Sequence, residues 1–307
     1  MAAPGVLSGG PLFLMNSETR RLSSLDLLAI ALVVGLLGYI GYRLFFALNY
    51  KWNWGIIPTY MIRFDEGGHW HANVLLEGFL TTLKLSIWGM VLATFAGVVM
   101  GLMRVAGRLL PRLVGLSYVE LIRNTPPLVL VFIFYYFVSD QLLPHFGIED
   151  FYRNASPALQ KQLTYISASP ELITPFLSGV LTIGLFQGAY ITEIVRAGIQ
   201  AIDIGQWEAS SALGLNRFQQ MRHIILPQSI RIMLPPLANE FINTIKYSSI
   251  VSIISIQELT FQGMQVMAST QATIEIWLTI TAMYLLICLV LSLMVGQLEQ
   301  RLNNHAR

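Results

Sequence analysis

Four long stretches of the chain contain no charged residue, and this feature limits most strongly what the sequence can fold into. They are Leu27–Tyr42, Leu85–Met103, Leu172–Thr192 and Ile276–Leu298. A helix needs about 20 mainly apolar residues to cross the hydrocarbon core of a bilayer. Charged residues make up only 12% of the 307 residues, against roughly 25% in soluble domains. The composition excludes a disordered chain, a nucleic-acid-binding domain and an ordinary water-soluble enzyme.

Two further spans are predicted from less regular stretches. Asn124–Ser139 is uncharged and becomes long enough if its helix starts near Ser117. Phe241–Gln257 is interrupted by Lys246 and is rich in Asn, Ser and Thr. The first span has an uncharged core longer than the apolar part of a signal peptide, so we expect an uncleaved anchor. The prediction is an all-α integral membrane protein with about six transmembrane helices.

The positions of the Lys and Arg residues predict the orientation of these spans. With the N-terminus inside and six crossings, thirteen Lys and Arg residues fall in inner segments and four in outer segments. Positive charge favours the cytoplasmic side, so both termini are predicted to be cytoplasmic. The resulting organisation is a tail at 1–24, an extra transmembrane helix at 25–48, an external aromatic loop at 49–73, a membrane core at 74–300 and a tail at 301–307.

Residues 201–235 form the most informative segment outside the spans. Asp203 and Gln206 have the spacing of a capping box, and Gly214 is placed to end that helix in the left-handed conformation. The segment is therefore predicted to begin with a short helix and a glycine turn.

A second short helix is predicted after the turn. Asn216 and Gln219 repeat the capping pattern, and the helix is expected to stop before Pro227. Its apolar face would consist of Phe218, Met221 and Ile225. Two interpretations remain open at this point: a lobe that inserts into a cleft on a cytoplasmic partner, or a loop that packs only on its own spans.

The residues of this segment resemble the EAA loop of ATP-binding-cassette importer permeases. That motif reads Glu-Ala-Ala, three residues, Gly, nine residues, then Ile-x-Leu-Pro. Here Glu208-Ala209-Ser210, Gly214 and Ile224-Ile225-Leu226-Pro227 keep the spacing, with Ser210 in place of the second Ala. The flanking segments are similar to the polar amino-acid branch of the family: Arg123–Leu128, Ala189–Gly198, Gly205–Glu208 and Lys246–Ser249. The resemblance covers about residues 73 to 300.

The resemblance implies a five-helix permease core plus one N-terminal helix, in a bacterial inner (plasma) membrane. It implies a subunit that forms half of the translocation pathway of an amino-acid importer. The implied partners are an identical or homologous permease chain, an external or periplasmic substrate-binding protein and separate ATPase subunits. The N-terminal extension is similar to those of broad-range or acidic and neutral amino-acid permeases. ATPase coupling would involve Gln206, Trp207, Glu208, Ala209, Ser210, Gly214 and Pro227.

The chain itself is predicted to be a non-catalytic subunit. No glycine precedes any of its four lysines, so it has no P-loop, and ATP and Mg would be bound by the partner ATPase. The single cysteine, Cys288, excludes a disulfide framework and a cysteine-based zinc site. His69 and His71 lie in a Trp-containing outer loop and are expected to be interface residues. We therefore expect no cofactor and no metal in this chain.

Polar residues inside the predicted spans are candidates for the transport pathway, because a charge at membrane depth costs about 2.5–3.5 kcal/mol on insertion scales. The fourth and fifth spans supply Gln187, Tyr190, Asn239, Glu240, Asn243, Lys246 and Ser249. These residues suit either a water-lined route for a zwitterion or interhelical hydrogen bonding. Glu120 with Arg123 and Glu193 with Arg196 have a spacing of three and are candidate gating ion pairs.

Two other classes of protein are compatible with the spans. A self-sufficient secondary amino-acid transporter or channel explains the polar row but has no use for the lobe at 203–227. An integral-membrane enzyme is disfavoured because no set of nucleophile, base and oxyanion donors can be assembled from the sequence.

Overall fold

The computed structural model describes residues 23–43, 50–65 and 67–304. Residues 1–22 and 305–307 of the predicted terminal tails and residues 44–48 of the first predicted span lie outside these residues. The α-helices are α1 Ser24–Tyr42, α2 Ile56–Met61, α3 Val74–Arg104, α4 Leu109–Arg123, α5 Pro127–Ile133, α6 Asp140–Leu142, α7 Ile148–Asn154, α8 Pro157–Ile166, α9 Ile173–Gln200, α10 Ile204–Ala212, α11 Arg217–Gln219, α12 Leu226–Tyr247, α13 Leu259–Thr270 and α14 Thr273–Asn304. Among the described residues, strands occur only in one hairpin, β1 Ile62–Phe64 and β2 Trp70–Ala72.

Helix α1 forms the first predicted span, in a unit that is separate from the rest of the chain. Ser23 and Asp26 form a capping box at its start, which satisfies backbone N–H groups that have no partner inside the helix. None of its residues is buried. Because its side chains are apolar all round, the helix is suited to a lipid environment.

The segment predicted as an external aromatic loop contains α2 and the hairpin. β1 pairs antiparallel with β2, with Phe64 opposite Trp70, and the two rings meet edge to face with centroids 4.9 Å apart. His71 Nε2 lies 2.9 Å from Asp65 Oδ2. Among the described residues, no group of three His, Cys, Asp or Glu side chains is placed to hold a metal ion.

Helix α2 attaches residues 53–72 to the membrane core. Ile57 and Tyr60 pack on an apolar cluster that includes Leu75 of α3 and Ile276 of α14. The backbone N–H of Asn53 donates to Glu275 Oε1 at 2.6 Å. Residues 53–72 are therefore part of the folded core rather than a free loop.

Helices α3 and α9 pack closely because both carry glycines at the contact. α3 has Gly97 and Gly101, and α9 has Gly184 and Gly188, each pair with Gly-x-x-x-Gly spacing. A Cβ atom added at Gly97 would lie 2.5 Å from Cγ2 of Ile191, and at the other three the nearest neighbouring atom would lie at 2.6 Å. Small residues of this kind let membrane helices approach each other closely. We did not predict this contact from the sequence.

The third predicted span is broken rather than straight. Helix α4 ends at Arg123, α5 begins at Pro127, and the axes of the two segments differ by 113°. Pro126 and Pro127 have no backbone N–H, and a proline disfavours the helical conformation of the residue before it. The prediction of one helix running from near Ser117 through Asn124–Ser139 is therefore wrong.

The predicted helix stop before Pro227 is also wrong. A π-helix, Gln220–Ile225, follows α11 and leads directly into α12, where Pro227 takes the second position. Proline is tolerated in a first helical turn, where the backbone N–H has no partner within the α-helix. Because the π-segment interrupts the α-helical period, the predicted apolar face is incomplete: Ile225 is buried, whereas Phe218 is exposed.

Within the described residues, four helices are long and apolar enough to cross a membrane: α1, α3, α9 and residues Thr273–Gln297 of α14. The bent pair of α4 with residues Pro127–Ser139, which comprise α5 and the π-helix Phe134–Ser139, makes a fifth if it is one span. The predicted span Phe241–Gln257 is not one helix, because α12 ends at Tyr247 and a 3₁₀ helix, Ser248–Ile254, follows. The all-α membrane fold is confirmed, but the count of six spans is not confirmed in the described part of the chain.

A buried carboxylate joins three elements at the start of α13. Glu258 accepts hydrogen bonds from the backbone N–H groups of Thr260 and Phe261, at 2.9 and 2.8 Å, and from the hydroxyl of Tyr284 in α14 at 2.8 Å. The hydroxyl of Thr82 in α3 accepts from the N–H of Leu259 at 3.1 Å. These bonds hold α3, α13 and α14 together at one end of the bundle.

The close contact of α3 with α9 leads to a prediction for Gly97→Val. The added side chain would overlap Ile191, and overpacking of this kind costs about 1–3 kcal/mol. We expect a clear loss of thermal stability of the purified protein in detergent, measured by thermal unfolding. The matched control is Gly296→Val in α14, where an added Cβ would meet no atom within 4 Å. Equal unfolding temperatures for the two variants would contradict the packing argument.

Candidate functional site

The segment at 203–225, called the coupling loop after the role that the sequence resemblance implies, forms the helix–glycine–helix lobe that the sequence predicts. Asp203 caps α10 by accepting from the N–H of Gly205 at 2.7 Å. Gly214 has φ +76°, a conformation that glycine adopts at low cost. The N–H of Leu215 donates to the carbonyl of Ser210 at 3.2 Å. The predicted left-handed end of α10 is confirmed.

The two predicted capping boxes have different outcomes. Asn216 and Gln219 form a complete box, with each side chain accepting from the backbone N–H of the other residue. At Asp203 only the cap itself forms, because the side-chain oxygen of Gln206 accepts from Gln228 of α12 at 3.2 Å. Gln206 therefore links the coupling loop to α12 instead of closing a box.

Gln220 holds the two halves of the coupling loop together. Its buried amide Nε2 donates to Ser211 Oγ at 2.9 Å and to the carbonyl of Leu215 at 2.8 Å. Ser210 is also buried, and its hydroxyl donates to the carbonyl of Trp207, so this position accepts a small polar residue. The sequence analysis did not single out Gln220, because a lone glutamine within a helical stretch carries no local signal.

The exposed residues of the coupling loop are mixed in character. Glu208 is exposed and, within the described residues, has no ion-pair partner within 4.0 Å. The apolar side chains of Ile204, Leu213 and Phe218 are 68%, 78% and 69% exposed. Exposed apolar side chains and an exposed carboxylate on one short loop are suited to docking on another protein.

A polar cluster lies where α9 faces α12. The buried Gln187 donates from Nε2 to Thr244 Oγ1 at 3.1 Å, and its Oε1 is buried without a hydrogen-bond partner. Glu240 is buried to 9% exposure, accepts from Asn243 Nδ2 at 3.3 Å, and interacts with Gln187. The structure thus brings together three of the predicted pathway residues, and it adds Thr244.

Aromatic rings and one guanidinium group continue this cluster towards the end of α4. The ring of Phe186 lies 5.3 Å from the rings of both Tyr190 and Tyr247. The guanidinium of Arg123 lies 5.5 Å above the centre of the Tyr190 ring. Arg123 does not pair with Glu120 in the described structure, since Glu120 instead accepts from Asn124 at 2.6 Å.

Two other residues of the predicted polar row, together with Asn243, line a second space. Asn239, Asn243 and Lys246 line a groove of about 460 Å³ against α14. Ser249 donates to the carbonyl of Lys246 at 2.7 Å, which ties it to its own chain. The predicted row is therefore divided: Glu240 lies in the cluster with Gln187, Asn239 and Lys246 line the groove against α14, and Asn243 takes part in both.

The second candidate ion pair is present at the end of α9. Glu193 Oε2 lies 2.8 Å from Arg196 Nη2, and Glu193 Oε1 lies 3.1 Å from Arg104 Nη2 at the end of α3. The carboxylate therefore joins two arginines from two helices. Arg196 also donates to the side chain of Gln200. Arg104 was not among the predicted partners, because it is distant in sequence.

The family model described as "Binding-protein-dependent transport system inner membrane component" matches residues 70–304. The chain belongs to this family. The match begins at the hairpin and ends with α14, so it covers the core, the polar cluster and the coupling loop. The predicted resemblance is confirmed.

Individual relatives agree with this assignment. The chain is 35% identical over 242 residues to the glutamine transport system permease protein GlnP of Escherichia coli (strain K12), covering 78% of this chain and 99% of the relative. It is 32% identical over 255 residues to the glutamate/aspartate import permease protein GltJ of the same strain, covering 83% and 96%. The probable glutamine ABC transporter permease protein GlnM of Bacillus subtilis (strain 168) is 32% identical over 230 residues, covering 75% and 94%.

Solved structures share the fold. The crystal structure of an amino acid ABC transporter with histidines has a TM-score of 0.59 and 33% sequence identity, covering 74% of this chain and 94% of that one. The MetNI methionine ABC transporter in an inward-facing conformation has a TM-score of 0.54 at 14% identity, covering 75% and 96%. Because its sequence identity is low, the similarity to the MetNI structure shows the fold alone.

The bracing role of Gln220 predicts the effect of Gln220→Leu. The variant removes both donors and leaves the Leu215 carbonyl without its partner, at a cost of about 1–3 kcal/mol. We expect faster amide hydrogen exchange at residues 203–225 and unchanged exchange in α3 and α9, measured by mass spectrometry on the detergent-purified protein. Gln265→Leu, an exposed position on α13, is the control. Unchanged exchange in the coupling loop of Gln220→Leu would contradict the assignment.

Proposed function

We propose that this chain is the membrane-spanning permease subunit of an ATP-driven importer of amino acids and forms half of its translocation pathway. The observation that carries the proposal is the coupling loop, a glycine-bent lobe with an unpaired Glu208 in a chain of the binding-protein-dependent family. The amino-acid substrate is supported by relatives that are named for glutamine and for glutamate and aspartate.

The proposed complex contains several other chains. ATPase subunits bind ATP and Mg, an identical or homologous permease chain completes the pathway, and an external substrate-binding protein delivers the amino acid. Both termini and the coupling loop face the cytoplasm in this arrangement. The excess of Lys and Arg in the predicted inner segments supports that orientation.

Energy reaches the membrane core through the coupling loop. Its exposed apolar side chains and Glu208 dock in a groove of the ATPase, and closure of the paired ATPases moves the loop. The loop lies between the end of α9 and the start of α12, so its displacement acts on both helices. These two helices carry the polar cluster, and their movement switches the pathway between inward and outward openings, with the Glu193–Arg196 pair at the hinge.

The substrate passes the polar cluster between α9 and α12. A zwitterion in a low-dielectric site needs a partner for each of its charges. In the proposed site Glu240 faces the ammonium group and Arg123 faces the carboxylate, while Gln187 offers an amide oxygen that has no hydrogen-bond partner in the described structure. Tyr190 and Tyr247 provide the walls. The groove formed by Asn239, Asn243 and Lys246 with α14 is a second polar route in the same half of the pathway.

The coupling role predicts different effects of two substitutions at Gly214. Valine is strained in the left-handed conformation, by roughly 1–2 kcal/mol, whereas asparagine adopts it readily. No neighbouring atom lies within 4 Å of an added Cβ, so the comparison isolates the backbone effect. We expect Gly214→Val and Glu208→Lys to lower ATP-driven uptake strongly while membrane insertion is unchanged. Gly214→Asn should remain close to wild type. Normal uptake by both Gly214→Val and Glu208→Lys would exclude the coupling role.

The substrate assignment is tested in proteoliposomes that contain the complete complex and its binding protein, with a panel of amino acids. We expect at least one amino acid to stimulate ATP hydrolysis and to be taken up. Glu240→Gln should lower uptake about tenfold, because a hydrogen bond to a charged group contributes about 1.5–3 kcal/mol. The exposed carboxylate of Glu77 supplies the control Glu77→Gln. Uptake by this chain without an ATPase would instead support a self-sufficient transporter.

A further inference from the structure

A cavity of about 850 Å³ opens beside the coupling loop, and four arginines line it. Its walls come from the end of α3, from α4, from the end of α9, from α10 and from the segment that follows Gly214. The lining arginines are Arg104, Arg112, Arg196 and Arg217. The cavity shares Ile204 and Glu208 with the docking surface, which consists of Ile204, Glu208, Leu213 and Phe218, but neither that surface nor the polar cluster includes Arg112 or Arg217.

The cavity carries an excess of positive charge. Glu193 pairs with both Arg104 and Arg196, and Glu208 is the only acidic residue among the described residues that line the cavity. Arg112 and Arg217 have no ion-pair partner within 4.0 Å in the described chain, although Arg217 lies 6.0 Å above the Trp207 ring. Four guanidinium groups against two carboxylates leave two positive charges unbalanced.

The position of the cavity places it at a membrane surface. Arg104 is the last residue of α3 and Gln200 is the last residue of α9, and both helices are long enough to span a bilayer. Helix α4 starts at the same level and exposes Leu109 and Leu110 by 71% and 74%. Leu116 of α4 lines the cavity itself. A charged recess therefore adjoins an exposed apolar helix face.

We propose that this cavity binds a phosphate group, and that the bound phosphate ties the coupling loop to α4. The guanidinium fork matches the oxygens of phosphate and forms charge-assisted hydrogen bonds with them. Basic pockets between transmembrane helices at the cytoplasmic side are suited to phospholipid head groups. Arg112 belongs to α4 and Arg217 to the coupling loop, and both line the cavity, so a phosphate bound by both arginines joins the two elements.

The binding test uses the purified permease with the partners that co-purify with it, in detergent and after removal of bound lipid. The thermal unfolding midpoint is measured with increasing phosphatidylglycerol, with phosphatidylcholine and with inorganic phosphate, at constant salt. We expect phosphatidylglycerol to stabilise the wild type and phosphatidylcholine to have no effect. Arg112→Gln and Arg217→Gln should each raise the half-saturating concentration roughly tenfold, the loss expected for charge-assisted bonds. The half-saturating concentration of Arg112→Lys should fall between those of the wild type and of Arg112→Gln.

The control is Arg222→Gln, because Arg222 is exposed in the same loop and does not line the cavity. Its response should equal that of the wild type. Stabilisation by phosphatidylglycerol but not by inorganic phosphate identifies a lipid head group, and saturable stabilisation by inorganic phosphate identifies a soluble source. No effect of either compound would overturn the proposal, as would an unchanged response of Arg112→Gln. Loss of the co-purifying ATPase from Arg112→Gln with an unchanged lipid response would show that the cavity is a socket for that subunit.

Discussion

The close packing of α3 against α9 is the contact on which the rest of the structure depends. Lipid supplies no hydrophobic force between helices, so their association rests on van der Waals contact and hydrogen bonds. Glycines on both helices permit that contact, and a side chain at Gly97 would meet Ile191. Helix α9 then carries Gln187 and Tyr190 within the bundle and Glu193 at its end. One helix, fixed by one contact, therefore positions both the polar cluster and the start of the coupling loop.

The polar cluster and the coupling loop are connected through continuous backbone. The loop begins three residues after α9 ends, and the π-helix Gln220–Ile225 leads directly into α12. Where α9 and α12 face each other, Gln187 and Thr244 share a hydrogen bond of 3.1 Å. A shift of the loop therefore moves the two ends of one helix pair and acts on the contact that they share. The backbone alone can therefore transmit a displacement of the loop to the polar cluster.

The sequence predicted those features that local chemistry determines. Asp203, Gly214 and Asn216 act through the backbone of their immediate neighbours, so their roles could be predicted from spacing alone, as could the family from the motif around Glu208. The pairing of Glu193 with Arg104 was missed because it joins residues far apart in the chain. The hairpin and the bracing by Gln220 join residues close in the chain, but the sequence analysis did not assign those residues to them. The helix continues past Pro227 because a π-segment precedes it, and the general preferences of proline in helices do not predict a π-segment.

The coupling loop is braced internally by directional bonds and attached to the spans mainly by apolar contact. Gln220 and the box formed by Asn216 with Gln219 fix its shape, whereas Trp207 and Met221 pack on the apolar cluster at the end of α9. Apolar contact has no preferred direction, and methionine adapts to irregular surfaces. The loop is thus suited to move as one body past the end of α9, while the π-segment keeps it continuous with α12. A phosphate bound by Arg112 and Arg217 in the proposed site would oppose this movement. Occupancy of the cavity would therefore limit how far the coupling loop moves.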